Sequence, residues 1–238
     1  MLTRSTCFLL AFALNYPTLA ADDGTWQGSA TLSFSRSAGN TNATSYSVAL
    51  DEARATEVNK VTIYASTLYG KSQNEITADK TKIGGRYDHD LTKRVFDFGL
   101  LEFERDLLAD LKLRTGAAAG LGYHVIKDQY NRFDVFGGLS RSNSELITGP
   151  TISQNEMLWS EESFHKLTAN TQLKQKFSYY PSIDNFAQFR TAFDASLVLN
   201  LNSTIGLSIS VQNKYGSDVG SGIKHSDTVF LTGLNIKL

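Results

Sequence analysis

From Trp26 to Ser35 the chain alternates strictly: Trp26, Gly28, Ala30, Leu32 and Phe34 fall at one parity, and Gln27, Ser29, Thr31, Ser33 and Ser35 at the other. A period of two belongs to a β-strand, which sends successive side chains to opposite faces. The alternation returns as Tyr46, Val48 and Leu50 against Ser45, Ser47 and Asp51, then as Val61, Ile63, Ala65 and Tyr69 against Thr62, Tyr64 and Ser66. Ile83, Gly85 and Tyr87 oppose Lys80, Lys82 and Arg86. Leu111, Leu113, Ala117, Leu121, Tyr123 and Val125 oppose Lys112, Arg114, Gly116, Gly120 and His124. Phe133, Val135 and Leu139 face away from Arg132, Asp134 and Ser140, and Leu173, Phe177 and Tyr179 from Gln172, Lys174, Lys176 and Ser178. Towards the end, Phe189, Phe193, Leu197 and Leu199 oppose Arg190, Asp194 and Ser196, Ile205 to Val211 alternate with serines, and Phe230, Leu234, Ile236 and Leu238 share a face. The segments Val95 to Phe103 and Leu158 to Lys166 are strand-like but carry apolar and charged residues at both parities, for which a β-bulge is the expected cause. The count comes to about twelve strands.

Soluble sandwiches alternate too, so the character of the two faces decides between media. One face is apolar, with Trp, Tyr and Phe near strand ends, as in the aromatic girdles of membrane barrels; the other carries long charged side chains. Connections alternate in length. Short ones fall at Glu57–Lys60, Asp90–Lys93, Thr168–Asn170 and Asn200–Ser203, and longer ones at Ala38–Asn42, Lys71–Ile76, Arg141–Glu156 and Tyr215–Ser226. The sequence therefore predicts an all-β, closed antiparallel transmembrane β-barrel with short periplasmic turns and longer outer loops. Closure leaves no unpaired strand edge in lipid.

The first residues change the compartment. Arg4 precedes the apolar run Cys7 to Leu14, and small residues follow at Thr18, Ala20 and Ala21, the order of a secretory signal peptide. The run is far short of the roughly 20 residues a spanning helix needs. Residues 1–21 are thus expected to be cleaved and 22–238 to form the barrel, in the outer membrane of a Gram-negative bacterium. Cys7, the only cysteine, leaves with the leader, so the mature chain is expected to hold no thiol, disulfide or lipid anchor. Of the 23 basic and 24 acidic residues, removing Arg4 leaves 22 against 24, a balance without a nucleic-acid footprint. The last strand, Thr232-Gly233-Leu234-Asn235-Ile236-Lys237-Leu238, is similar to the terminal signal read by barrel-assembly machinery, with Leu238 in place of the usual Phe.

Several segments resemble the salt-induced outer membrane protein family, the YdiY-like group. They are Trp26-Gln27-Gly28 leading to Ser37-Ala38-Gly39-Asn40-Thr41, Glu104-Arg105-Asp106-Leu107-Leu108 through Leu113-Arg114 to Gly120-Leu121-Gly122-Tyr123, Lys166-Leu167-Thr168, Phe177 with Tyr179 and Pro181, and Asp227-Thr228. The resemblance implies an outer-membrane barrel and supplies no agreed ligand or reaction.

The inward parity carries the candidate chemistry. Lys80, Lys82, Arg86, Lys112, Arg114, Arg132, Lys174, Lys176 and Arg190 are expected there, against Asp51, Asp134, Asp194 and some of Glu102, Glu104, Glu161 and Glu162. In a water-filled lumen an excess of cations favours small anionic solutes. Paired across a narrow cylinder, the same charges instead close it, and parity alone does not choose. Arg105 and Asp106 are expected at the outer rim, either bracing a loop as a salt bridge or reaching lipopolysaccharide phosphate. Gly39-Asn40 has hairpin-turn chemistry. Enzyme signals are weak: Ser221, His225 and Asp218 share one loop without a strained nucleophile turn, no His or Cys pair sits at metal-ligand spacing, and no phosphate-cradling loop occurs. The sequence thus points to a monomeric, non-enzymatic barrel, without cofactor, that conducts small anions or supports the envelope under osmotic stress. Its expected partners are membrane lipid, lipopolysaccharide and the assembly machinery. The alternatives are a lipid-modifying hydrolase, and an adhesin using the 141–156 segment.

Overall fold

A computed structural model describes residues 24–37, 43–219 and 224–238. The leader with its cleavage site, the Gly39-Asn40 turn and Ser221 lie outside the described residues. Twelve strands form one closed antiparallel ring: β1 (Trp26–Ser37), β2 (Ala43–Ala55), β3 (Asn59–Ser72), β4 (Glu75–Asp90), β5 (Val95–Asp106), β6 (Leu111–Lys127), β7 (Asn131–Leu146), β8 (Ile152–Lys166), β9 (Thr171–Pro181), β10 (Phe189–Asn200), β11 (Ile205–Gly216) and β12 (Ser226–Lys237). Each strand pairs with its sequence neighbour, and β1 closes the ring on β12 from Ser29–Lys237 to Leu32–Leu234. A single turn of 3-10 helix, Leu107–Ala109, joins β5 to β6 and is capped by the Asp106 carboxylate. No described helix is long and apolar enough to cross a membrane, which says nothing about strands.

The parity read from sequence sorts the two faces. Ser29, Thr31, Ser33, Ser45, Ser47, Thr62, Ser66, Ser208 and Ser210 turn inward and are buried, while Leu32, Phe34, Ile63, Ile83, Leu139, Trp159 and Ile209 turn outward with exposures up to 69%. Water tolerates scattered apolar side chains; a continuous apolar band around a closed sheet is a surface for hydrocarbon. Between β3 and β4 the connection is the two-residue Gln73-Asn74 hairpin, both residues having positive φ as a type I′ turn requires. Arg141 to Glu156, expected as an outer loop, is mostly strand: β7 continues to Leu146 and β8 resumes at Ile152. Longer connections at that end are 182–188 and 217–225.

The two segments of ambiguous phase hold regular pairing, so the expected bulges are absent there. Phe96 to Phe103 pairs residue for residue with β4, Val95 to Phe103 with β6, and Leu158 to His165 with β7. Their mixed parity has another cause: Phe96, Phe98, Leu158 and Phe164 point inward and are buried. Phe96, Phe98, Ala118, Phe136, Leu158 and Tyr180 form one apolar cluster inside the barrel. A smaller one unites Leu68, Ala78 and Leu231.

Glycine makes room for this interior packing. A Cβ on Gly122 would lie 2.1 Å from the Phe96 ring, and one on Gly84 2.4 Å from that of Tyr64. Phe96 is fully buried, against Phe136 and stacked on His124, so it has nowhere to retreat. Gly122→Ala is therefore expected to lower stability by about 1–3 kcal/mol, the usual cost of overpacking. Urea unfolding of the lipid-embedded barrel, followed by tryptophan fluorescence, measures it; an unchanged midpoint contradicts a tightly filled interior.

Candidate functional site

The interior site is built from alternate residues of every wall. Inward positions of β4 supply Lys80, Lys82, Arg86 and Asp88; β5 supplies Phe96, Phe98, Glu102, Glu104 and Asp106; β7 to β10 add Arg132, Asp134, Glu156, Glu162, Lys174, Lys176, Arg190 and Asp194. At a strand period of two, each such row faces the barrel axis, so opposite walls can exchange ion pairs.

Arg86 anchors the half nearer the termini. Its guanidinium donates to Asp88 Oδ1 at 2.6 Å and to Glu162 Oε1 at 3.0 Å, and Lys176 reaches the same Glu162 oxygen at 2.6 Å. The rings of Phe136, Phe98 and Phe96 surround the Arg86 carbon at 4.1, 5.2 and 5.6 Å. A planar, weakly hydrated cation suits an aromatic cage that also excludes water. Beside it, the His124 ring faces Asp134 Oδ1 at 2.6 Å through Nδ1 and Asp90 Oδ1 at 3.0 Å through Nε2. Arg132 donates to Asp134 at 2.6 Å and Lys127 to Asp90 at 2.5 Å.

Towards the other end the pairs span the lumen. Lys214 of β11 bonds Glu104 of β5, and these two strands stand six apart in the ring of twelve, directly opposite each other. Arg114 approaches the same Glu104 at 3.5 Å. Lys80 of β4 bonds Asp227 of β12 and Asp106 at 3.1 Å. Lys82 meets Glu102 at 2.6 Å, with the Tyr64 hydroxyl donating to the same carboxylate. Arg190 grips Glu156 with two hydrogen bonds of 2.8 and 2.9 Å, its guanidinium 3.6 Å from the centre of the Tyr180 ring. Lys174 faces Asp51 across the barrel, and Asp194 lies among Lys82, Lys176 and Lys214.

Of the sequence-predicted cations, Lys80, Lys82, Arg86, Arg114, Arg132, Lys174, Lys176 and Arg190 all lie inside, as do Asp134 and Asp194. Lys112 does not. Pairing slips between Leu111 and Leu113, the extra residue of this bulge breaks the parity, and Lys112 reaches Glu145 at 2.5 Å at the exposed rim. Glu161 falls on the outer face, between Val135 and Phe177, whereas Glu102, Glu104 and Glu162 turn in. Arg105 and Asp106 do not pair with each other, because successive strand residues point to opposite faces. Arg105 approaches Asp79 at 3.8 Å, and Asp106 holds Lys80. Sequence reading missed Lys60, Asp88, Glu156, Lys214 and the phenylalanines that cage Arg86. Parity against Val61 and Ile63 places Lys60 inside, and Gly122 opposite Phe96 signals an inward ring.

The family match is the deciding observation for kinship, because it spans residues 30–238, the whole described barrel apart from its first few residues. The chain belongs to the protein family of unknown function DUF481. This places the DUF481 barrel in an uncharacterised family and does not reach the narrower salt-induced group. No curated protein matches it. Among solved structures, the NanC porin is similar with 10% identity and a TM-score of 0.52, over 90% of this chain and 98% of that one. The translocator domain of autotransporter NalP from Neisseria meningitidis shows 10% identity and a TM-score of 0.47 over 89% and 86%. At such identity the NanC likeness shows the fold alone: a closed outer-membrane-type β-barrel.

Arg86→Leu removes the cation that Asp88 and Glu162 share. Breaking a buried pair costs about 3–5 kcal/mol, and the lower end is expected because Lys176 still holds Glu162. Urea unfolding of the DUF481 barrel measures this, and a loss under about 1 kcal/mol, the scale of a solvated surface pair, contradicts the buried arrangement.

Proposed function

We propose that the protein is a non-enzymatic barrel of the Gram-negative outer membrane, a narrow channel whose interior ion pairs admit small ions and water and reject larger solutes. The observation that carries this reading is the Lys214–Glu104 pair, which crosses the full width of the ring. With Arg114 on the same carboxylate and Lys80–Asp227 beside it, the lumen is subdivided by side chains. A cavity of about 90 Å³, lined by Lys82, Glu102, Lys176, Tyr180 and Asp194, remains at this level. That is the space of a few water molecules, each taking about 30 Å³.

Anion preference, expected from an excess of inward cations, is not part of this proposal. Asp88, Asp106, Glu102, Glu104, Glu156 and Glu162 each hold a lumen cation, so the excess is largely neutralised. The non-enzymatic reading is supported by what surrounds the histidines: Asn59 for His89, Asn131 for His165, two carboxylates for His124, and the Gly216 carbonyl for His225. Asp218, expected near His225, accepts from Gln188 instead. The leader supports export, the apolar belt supports lipid contact, and the last strand supports recognition by assembly machinery. The likeness to salt-induced proteins supports synthesis under osmotic load.

Planar-bilayer recording tests the channel. Wild-type protein is expected to give small steps, and the Glu104→Ala/Lys214→Ala double variant steps at least threefold larger, because both ends of the crossing pair are removed while Arg114 keeps its hydrogen bond to Ser144. Equal conductance, or a wild-type protein that passes sugars in liposome swelling, overturns the proposal.

A further inference from the structure

The end of the barrel that carries the termini opens into a vestibule of about 810 Å³, lined by Lys60, Lys93, Lys127, Arg132, Glu57, Asp90 and Asp128 among others. Of its three carboxylates, Glu57 is exposed on the β2–β3 turn, and the other two are engaged. Asp90 holds His124 and Lys127. Asp128 accepts the backbone amides of Tyr130 and Asn131 at 2.7 Å each, which keeps its carboxyl below the usual carboxylate range. Deeper in, Asp88 and Glu162 are engaged by Arg86 and Lys176, and Asp134 by Arg132 and His124.

Lys60 stands apart from these pairs. It points inward from β3, is 8% exposed, and its ammonium neither hydrogen-bonds nor ion-pairs with any described side chain. Its cross-strand neighbour is Asp88, already bonded to Arg86. Among the charges acting on it, the strongest is the like charge of Arg132. For a largely buried lysine with no acceptor of its own beside a second cation, desolvation and repulsion are only partly offset by Asp88 and Glu162, which Arg86 and Lys176 already hold. An oxyanion between the two would relieve both terms, and Arg132 has the planar fork that binds carboxylate or phosphate oxygens.

We propose that this vestibule binds a small soluble anion bearing a phosphate or carboxylate group, held by Lys60 and Arg132 with Lys127 at the rim. The aromatic cage around Arg86 lies further along the barrel, so the anion enters and leaves from the aqueous phase at the mouth. In the proposed orientation that phase is the periplasm. Binding at the mouth does not require conduction, so this proposal and the channel stand or fall separately.

Titration calorimetry of the full-length mature barrel in neutral detergent, with inorganic phosphate and separately with succinate, tests it. Saturable one-to-one heat with at least one of them is expected, weakened at least tenfold by Lys60→Met and at least threefold by Arg132→Gln. Lys224→Met, at the opposite end, should leave it unchanged. Folding of each variant is checked by its heat-dependent shift in gel mobility. Should Lys60→Met not fold, Arg132→Gln and the wild-type titration decide. No saturable heat from wild-type protein with either anion, or equal affinity in the folded Lys60 and Arg132 variants, overturns the proposal.

Discussion

A strand edge in hydrocarbon has no water to bond, and that constraint organises this molecule. Every backbone donor and acceptor crossing the membrane must find a partner in the sheet, so the sheet has to close, and here β12 returns to β1. Closure at twelve strands fixes a cylinder narrow enough for a lysine and a glutamate from opposite walls to meet. The charged interior is thus a consequence of ring size: side chains long enough to be solvated in a wide porin instead neutralise one another here.

The two halves of the interior solve this crowding differently. Nearer the termini, Arg86 is enclosed by three phenylalanine rings and tied to carboxylates, and the space around it is filled as a soluble protein's core would be. Toward the other end the bridges Lys214–Glu104 and Lys80–Asp227 cross open lumen. A plug made of ion pairs differs from one made of hydrocarbon, because water and small ions can exchange with its members one at a time. The channel proposed above depends on that difference.

Much of the fold was legible because a membrane barrel writes its two solvents onto alternate residues. Leu32, Ile83 and Leu139 against Ser33, Lys82 and Ser140 name the faces without any structure. What escaped was the part of the interior that is not polar. Phe96, Phe98 and Leu158 break the alternation because a narrow lumen needs apolar filling, and mixed parity reads from sequence as a bulge. The register shifts lie elsewhere, among them one at Leu111–Leu113, where a single extra residue moves Lys112 to the rim. Lumen membership of Arg86 or Lys176 could be read from parity; their partners could not, since partnership depends on which walls face each other across the ring.

The account rests on the apolar face touching hydrocarbon while the charged face is screened from it. Single cysteines carrying spin labels at successive positions of β4 from Lys82 to Tyr87, in a chain free of Cys7 and embedded in lipid vesicles, test this by collision with dissolved oxygen. High oxygen accessibility is predicted at positions 83, 85 and 87 and low accessibility at 82, 84 and 86. An alternation of the opposite phase, or none, would contradict the barrel in membrane described above.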